Sequence, residues 1–161
     1  MASIFILALS GCEKFLQEND PPPIKYPESY EAEISFGEFL GRADIICESA
    51  ECFSLEFTAP ETVAGFKASL EAGVCRYDIF GVATEHKEGE TPSDDAATLI
   101  FSCVKALTKG EYTSLRLFEN GWVYEGSAAG KMFIAKQNAE TGRLTQIEFP
   151  QVNLVVLLQT I

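Results

Sequence analysis

The stretch CFSLEFTAPETVAGFKASLEAGVCRYDI, residues 52–79, decides the predicted fold. Phe53, Leu55 and Phe57 alternate with smaller or more polar residues, and the same period of two recurs over residues 66–70 and 75–79. A period of two indicates strands with one buried and one wetter face. The connectors at 58–62 and 71–73 are short, which favours antiparallel neighbours in a meander.

The same pattern extends outward in both directions from this stretch. Asn120-Gly121 lies between two apolar runs, and Asn-Gly is the strongest short hairpin signal. Residues 152–161 are apolar on both faces, so we expect them to be covered on both sides or to lie inside a curved sheet. Further strands are predicted at 30–36, 43–48, 114–118, 122–126, 131–137 and 143–149.

A period of three to four residues appears once, after a polar loop predicted over residues 84–92. Its apolar positions are Ala97, Ile100, Phe101, Val104 and Leu107, which lie on one face of a helix. Thr91 is the predicted cap and Pro92 suits the first turn, with Asp94 and Asp95 at the positive end of the dipole. Lys109-Gly110 marks the end, so the helix is predicted over about 92–109.

These elements predict a mainly β fold of the α+β class. Nine or ten strands form a large sheet, and large sheets usually curl. We therefore expect a highly curved antiparallel sheet, or an incomplete β-barrel, wrapped around one amphipathic helix. One domain over residues 30–161 is expected.

Composition excludes several classes of function. The chain has 161 residues, of which 47% are hydrophobic, and 24 acids against 12 bases give a net charge of -12. Nucleic-acid binding requires a basic footprint, and so does adsorption to an anionic membrane surface. Neither partner is expected for the folded domain.

The first twelve residues, MASIFILALSGC, resemble a bacterial lipoprotein signal. An apolar run leads into Leu9-Ser10-Gly11-Cys12, which is similar to a lipobox. The resemblance implies that residues 1–11 are a signal peptide and that Cys12 is the lipidation site, carrying a diacylglyceryl group. The alternative is an ordinary first strand over Ile4–Leu9 with Cys12 buried.

The residues that follow suit a tether. Residues 12–29 contain Pro21, Pro22, Pro23 and Pro27, and consecutive prolines favour an extended polyproline II conformation. Lipidated cysteine, tether and globule predict a protein anchored to the extracytoplasmic face of a bacterial cell membrane. Its first predicted partner is therefore the membrane, through Cys12.

The layout also resembles the LolA-like lipoprotein carrier superfamily. The resemblance rests on the lipobox, on FTAPETVAGFKASLEAG at 57–73 with its Thr58-Ala59-Pro60 turn, and on Phe80-Gly81 before an acidic loop and helix. It implies a concave apolar face that binds or carries a lipid or other hydrophobic ligand, with no catalytic residue and no cofactor. The alternative function is a surface lipoprotein that acts as a structural or protein-interaction module with a filled core and no ligand.

Aromatic and aliphatic side chains at strand and helix spacing are the candidate ligand contacts. They could equally form a plain hydrophobic core. The predicted set is Phe53, Leu55, Phe57, Phe66, Tyr77, Ile100, Phe101, Val104 and Trp122.

Catalytic and metal chemistry is not expected. His86 is the single histidine and falls in the predicted polar loop, which does not hold a base rigidly against a nucleophile. The acids around it lack the spacing of a calcium loop.

Four cysteines besides Cys12 could be free thiols or form two disulfides in three pairings, and a core of this size favours free thiols.

Overall fold

A computed structural model describes residues 20–90, 94–119 and 121–161, and the predicted signal peptide and Cys12 lie outside these residues. Within the described chain, eleven strands form one antiparallel sheet with a single α-helix. The strands are β1 Glu28–Phe36, β2 Phe39–Ser49, β3 Cys52–Ala59, β4 Lys67–Glu71, β5 Val74–Ile79, β6 Val82–Lys87, β7 Tyr112–Phe118, β8 Gly121–Ala128, β9 Lys131–Asn138, β10 Leu144–Phe149 and β11 Leu154–Thr160. The helix α1 spans Ala96–Lys109, and a short 3-10 turn covers Pro150–Val152.

The sheet consists of two meanders joined at the centre. Its order is β6-β5-β4-β3-β2-β1-β11-β10-β9-β8-β7, so the first and last strands are neighbours. Tyr30 pairs with Thr160 and Phe36 with Leu154 at the two ends of this ladder. The helix connects the two outer strands, β6 and β7. The prediction of a curved antiparallel sheet with one helix is confirmed.

The core lies between the helix and the inner face of the sheet. Leu99 and Cys103 are completely buried, and so are strand residues such as Phe133, Phe149 and Leu154. The helix buries more of its circumference than the five predicted positions, because Leu99, Cys103 and Ala106 are buried as well. A sheet that curls around a helix covers it from several sides, whereas a flat sheet would cover one stripe.

One strand was not predicted. β6 covers Val82–Lys87, so residues 84–87 belong to a strand and not to the predicted polar loop at 84–92. All six residues are exposed at the edge of the sheet. An edge strand with no buried face carries no apolar alternation, so the period-two signal was absent.

The last strand is covered on one face only. Leu154, Val156 and Leu158 are buried on the helix side, whereas Leu157 is 41% exposed on the outer face. The expectation that residues 152–161 lie inside a curved sheet is correct. This was one of the two predicted alternatives, and the other, cover on both sides, does not occur because the helix of the described chain packs on the inner face.

The helix begins later than predicted, and its cap is a different residue. Asp95 is the N-cap, and its Oδ1 accepts a hydrogen bond from the Thr98 amide at 2.8 Å, so Thr91 is not the cap. The predicted stop is confirmed: Gly110 has φ of 72°, and its amide donates to the Leu107 carbonyl. The Glu111 amide donates to the Ala106 carbonyl, which completes a Schellman motif.

The described part of the predicted tether lies against the sheet. Gln137 is 1% exposed, and its Nε2 donates to the carbonyls of Pro22 and Gly142, both at 2.8 Å. Its Oε1 accepts from the Tyr124 hydroxyl at 2.6 Å, so this buried amide is fully bonded. Ile24 and Tyr26 pack on the core. A tether over residues 12–19 stays a prediction, because those residues lie outside the described chain.

Asp95→Ala should destabilise the fold by about 1 kcal/mol, because the N-cap acceptor is lost. The midpoint of thermal unfolding, followed by circular dichroism, should fall by roughly 3 °C. Asp95→Asn is the matched control, since asparagine keeps a capping oxygen. An equal loss in both variants would contradict the capping role.

Candidate functional site

The strongest candidate site is a cleft that runs beside α1, between the β4–β5 hairpin and the β8–β9 hairpin. We call it the helix cleft, and its volume is about 510 Å³. One wall comes from β4, β5 and the turn after β6, and the other comes from Glu111 and the turn between β8 and β9. The lining residues are Leu70, Cys75, Glu88, Gly89, Thr98, Phe101, Ser102, Lys105, Ala106, Lys109, Glu111, Ser127, Ala128 and Ala129.

The helix supplies both an apolar and a polar part of this surface. Thr98, Ser102, Lys105 and Lys109 recur every three or four residues, so they lie on one stripe of the helix. Phe101 lies beside this stripe and stacks on Phe53, with ring centroids 5.6 Å apart. The cleft therefore combines an apolar base with hydroxyl and charged groups.

Lys105 ties together three elements at the rim of the cleft. Its side chain is only 16% exposed, and its Nζ lies 2.7 Å from Glu88 Oε1 and 3.0 Å from Glu51 Oε2. Glu51 belongs to the turn between β2 and β3, and Glu88 follows β6. Burial acts to lower the pKa of Lys105, but the hydrogen bonds to Glu88 and Glu51 outweigh it and raise that pKa. The hydrogen bond from Lys105 is the main cause of the lowered pKa of the Glu51 carboxyl.

Tyr77 fixes the beginning of the helix against β5. Its hydroxyl donates to Asp95 Oδ2 at 3.2 Å and lies 2.9 Å from the Thr98 hydroxyl. Burial raises the pKa of Tyr77 to about 12, so the phenol stays neutral and keeps its proton for donation. This contact holds one end of the helix cleft in place.

Most of the predicted ligand residues lie in the core and not in the cleft. Phe53, Leu55, Phe57, Ile100, Phe101, Val104 and Trp122 are buried, and Phe66 and Tyr77 pack against them. The rings contact one another, with Phe57 to Phe66 centroids at 5.8 Å and Phe66 to Tyr77 at 6.2 Å. Of the nine, Phe101 alone lines the helix cleft. Contact of the other eight with a ligand stays a prediction.

Sequence reasoning missed Lys105, Ser102 and Ala128 as lining residues. The helix residues among them could have been found from the sequence, because Thr98, Ser102, Lys105 and Lys109 recur at the spacing of one helix face. The residues of the cleft walls could not have been found this way, since Leu70 and Ala128 are far apart in the sequence and come together only through the curl of the whole sheet.

His86 and the cysteines differ in their surroundings. His86 lies on β6 opposite Cys75 in the register, and its ring is 6.4 Å from that of Tyr77. Cys47, Cys52, Cys75 and Cys103 form no disulfide, in agreement with the prediction of free thiols. Burial raises the pKa of Cys47 to about 12 and also raises that of Cys103.

Among the described residues, no group of three histidine, cysteine or acidic side chains is placed to hold a metal ion.

Comparisons with known proteins show similarity in fold at low sequence identity. A solved structure of an uncharacterized conserved protein from Thermus thermophilus is similar with a TM-score of 0.55 and 11% identity, covering 85% of this chain and 78% of that chain. A LolA superfamily protein from Nitrosomonas europaea is similar with a TM-score of 0.41 and 12% identity, covering 83% of this chain and 69% of that chain. No family model and no curated protein sequence matches.

The described part of the chain contains no helix that is long and apolar enough to cross a membrane.

The reduced thiols give a direct test of the core. In the full chain with Cys12→Ala, unfolding without reductant should expose four thiols to Ellman's reagent. In the folded protein we expect Cys52 to react first, because it is half-buried while the other three are buried. Burial, followed by the adjacent Glu48 carboxylate, raises the pKa of Cys52, so its reaction should quicken as the pH rises.

Cys52→Ser is the control for this measurement and should abolish the early native reaction. Fewer than four thiols after unfolding would contradict the assignment of reduced cysteines.

Proposed function

We propose that this chain is a membrane-anchored extracytoplasmic lipoprotein that binds a hydrophobic or amphiphilic ligand along its helix cleft. The observation that carries the ligand proposal is the cleft itself. Its volume of about 510 Å³ is within the usual range for small-molecule sites. Phe101, Leu70 and Ala128 offer an apolar surface, while Lys105 and Ser102 supply polar groups at the same opening.

The lining of the cleft favours a ligand with an apolar body and an uncharged polar end. Lys105 is already paired with Glu88 and Glu51, and Lys109 with Glu51, so these cations are largely neutralised. The apolar part of a ligand would lie against Phe101 and the alanines of the β8–β9 turn. Its polar part would meet the hydroxyls of Ser102, Ser127 and Thr98.

Anchoring is proposed from the sequence Leu9-Ser10-Gly11-Cys12 behind the apolar run. The chain from Cys12 to Asp20, the first described residue, can span at most about 28 Å. A lipid on Cys12 would therefore keep the folded domain close to the membrane. Two acyl chains bury many methylenes at about 0.8 kcal/mol each, which suffices for stable attachment.

A second candidate function is a protein-interaction module without a ligand. The filled inner face favours it, because Phe53, Phe101, Phe133 and Phe149 leave the helix packed directly on the sheet. The two functions differ in whether the helix cleft takes up an apolar molecule.

Ser102→Trp should block the cleft, because Ser102 is a half-buried lining residue and the indole would occupy the space beside Phe101. We expect binding of a fluorescent fatty-acid analogue to weaken by about tenfold, or about 1.4 kcal/mol. Ser69→Trp is the matched control, since Ser69 is half-buried on β4 and lines a depression on the outer face.

Native mass spectrometry of the same proteins reports co-purifying ligand. Equal probe binding by both tryptophan variants would remove the cleft as the site. A wild-type protein that carries no ligand and takes up no probe would favour the interaction module.

Cys12→Ala should abolish lipid attachment. In bacterial cells grown with a labelled fatty acid, we expect label on the wild-type protein in the membrane fraction and none on the variant. Cys52→Ala is the control and should keep the label. Label that persists in Cys12→Ala would contradict the proposed anchor.

A further inference from the structure

A second depression lies on the outer face of the sheet, opposite the helix. We call it the outer groove, and it has a volume of about 510 Å³. It crosses three central strands, with Leu40 and Arg42 from β2, Ser35 and Glu33 from β1, and Val155 and Leu157 from β11. It shares no lining residue with the helix cleft.

The strand register explains why apolar side chains meet here. Ser35 pairs with Leu40 on one side and with Val155 on the other, and Glu33 lies between Arg42 and Leu157 in the next row. Small Ser35 leaves a depression between its larger neighbours. Leu40 is 72% exposed and Leu157 is 41% exposed. Clustered apolar side chains in a depression on an outer face are typical of an interaction site.

Acidic side chains continue the groove at one end. An adjoining depression of about 420 Å³ shares Glu33 and Arg42 and adds Glu31 and Asp44. Three carboxylates therefore accompany one guanidinium, and the whole chain carries a net charge of -12. A ligand for this surface needs apolar groups at one end and positive charge at the other.

This charge pattern decides which occupant fits. A second copy whose acidic end meets this one would bring Glu31, Glu33 and Asp44 against the same three carboxylates. The chain also has few cations to offer, because Lys67, Arg76, Lys105, Lys109, Arg116, Lys131 and Arg143 are ion-paired with its own acids. An anionic membrane surface would be repelled by the same carboxylates and by the negative net charge of the chain.

We propose that the outer groove binds a cationic, apolar segment of another protein, in which leucine-like side chains lie next to lysine or arginine. The apolar side chains contact Leu40, Val155 and Leu157, and the cations face Glu31, Glu33 and Asp44. Complementary charge also speeds the encounter of the two partners. This inference is independent of ligand binding in the helix cleft.

The test uses the full chain with Cys12→Ala and a fluorescein-labelled peptide with leucines at one end and lysines at the other. Fluorescence anisotropy measures binding of this peptide and of two counterparts, one with glutamate for lysine and one with serine for leucine. We expect only the leucine–lysine peptide to bind measurably. Leu157→Ser should weaken that binding about fivefold, since apolar contact area is lost. Glu33→Gln should weaken it about threefold, as expected for an exposed charge pair.

Leu117→Ser and Glu140→Gln are the matched controls, because both residues are exposed and neither lines the groove. They should change binding by less than about twofold. Circular dichroism and thermal unfolding of each variant establish that the fold is intact.

Three results would overturn the proposal. Equal weakening by Leu157→Ser and Leu117→Ser would show that the peptide binds without using the groove. Binding of the serine–lysine peptide as tight as that of the leucine–lysine peptide would reduce the interaction to net charge. A concentration-dependent dimer that Leu157→Ser dissolves, seen by analytical ultracentrifugation, would make a second copy the occupant.

Discussion

The burial of α1 against the inner face of the sheet is the contact on which the rest of the molecule depends. An open antiparallel sheet of this width exposes a whole apolar face unless something covers it. The helix meets that need with a nearly continuous apolar surface, and Leu99 and Cys103 have no exposed area. A fully buried large apolar side chain contributes about 1.5–3 kcal/mol, so the eight buried helix residues and the strands beneath them stabilise each other. The stripe of Thr98, Ser102, Lys105 and Lys109 is not buried in this contact, and it lines the helix cleft.

This packing places limits on how a ligand could be held. Space beneath the helix is occupied by stacked and tilted rings, including Phe53 against Phe101. A molecule that entered there would have to displace the helix and expose those rings to water. A ligand lying beside the helix in the cleft would not have to displace it. Lys105 strengthens this arrangement, because its bonds to Glu51 and Glu88 join the helix to both neighbouring turns. The helix is thus a fixed wall of the cleft.

The sequence predicted the elements that carry a buried face and missed the features that depend on distant residues. Phe53, Leu55 and Phe57 revealed their strand because one side of it is buried. Val82–Lys87 gave no such signal, because an edge strand exposed on both faces has no reason to alternate. The end of the helix at Gly110 was predictable from local backbone chemistry, whereas Asp95 took the capping role expected for Thr91. The nine predicted ligand residues were recognised as apolar and clustered, yet periodicity cannot separate a core from a pocket. The cleft joins Leu70, Lys105 and Ala128, and no local pattern links those positions.

The central position of β11 has a consequence for the order of folding. Its partner β1 lies more than a hundred residues earlier in the chain, so their ladder has a very high sequence separation. Contacts of this kind carry a large loop-closure entropy and form late. The two meanders and the helix can start locally, but the sheet is complete only after Leu154–Thr160 has been inserted between β1 and β10. A growing polypeptide can therefore complete its sheet only after synthesis has passed residue 160, while the ladders within each meander need only neighbouring strands.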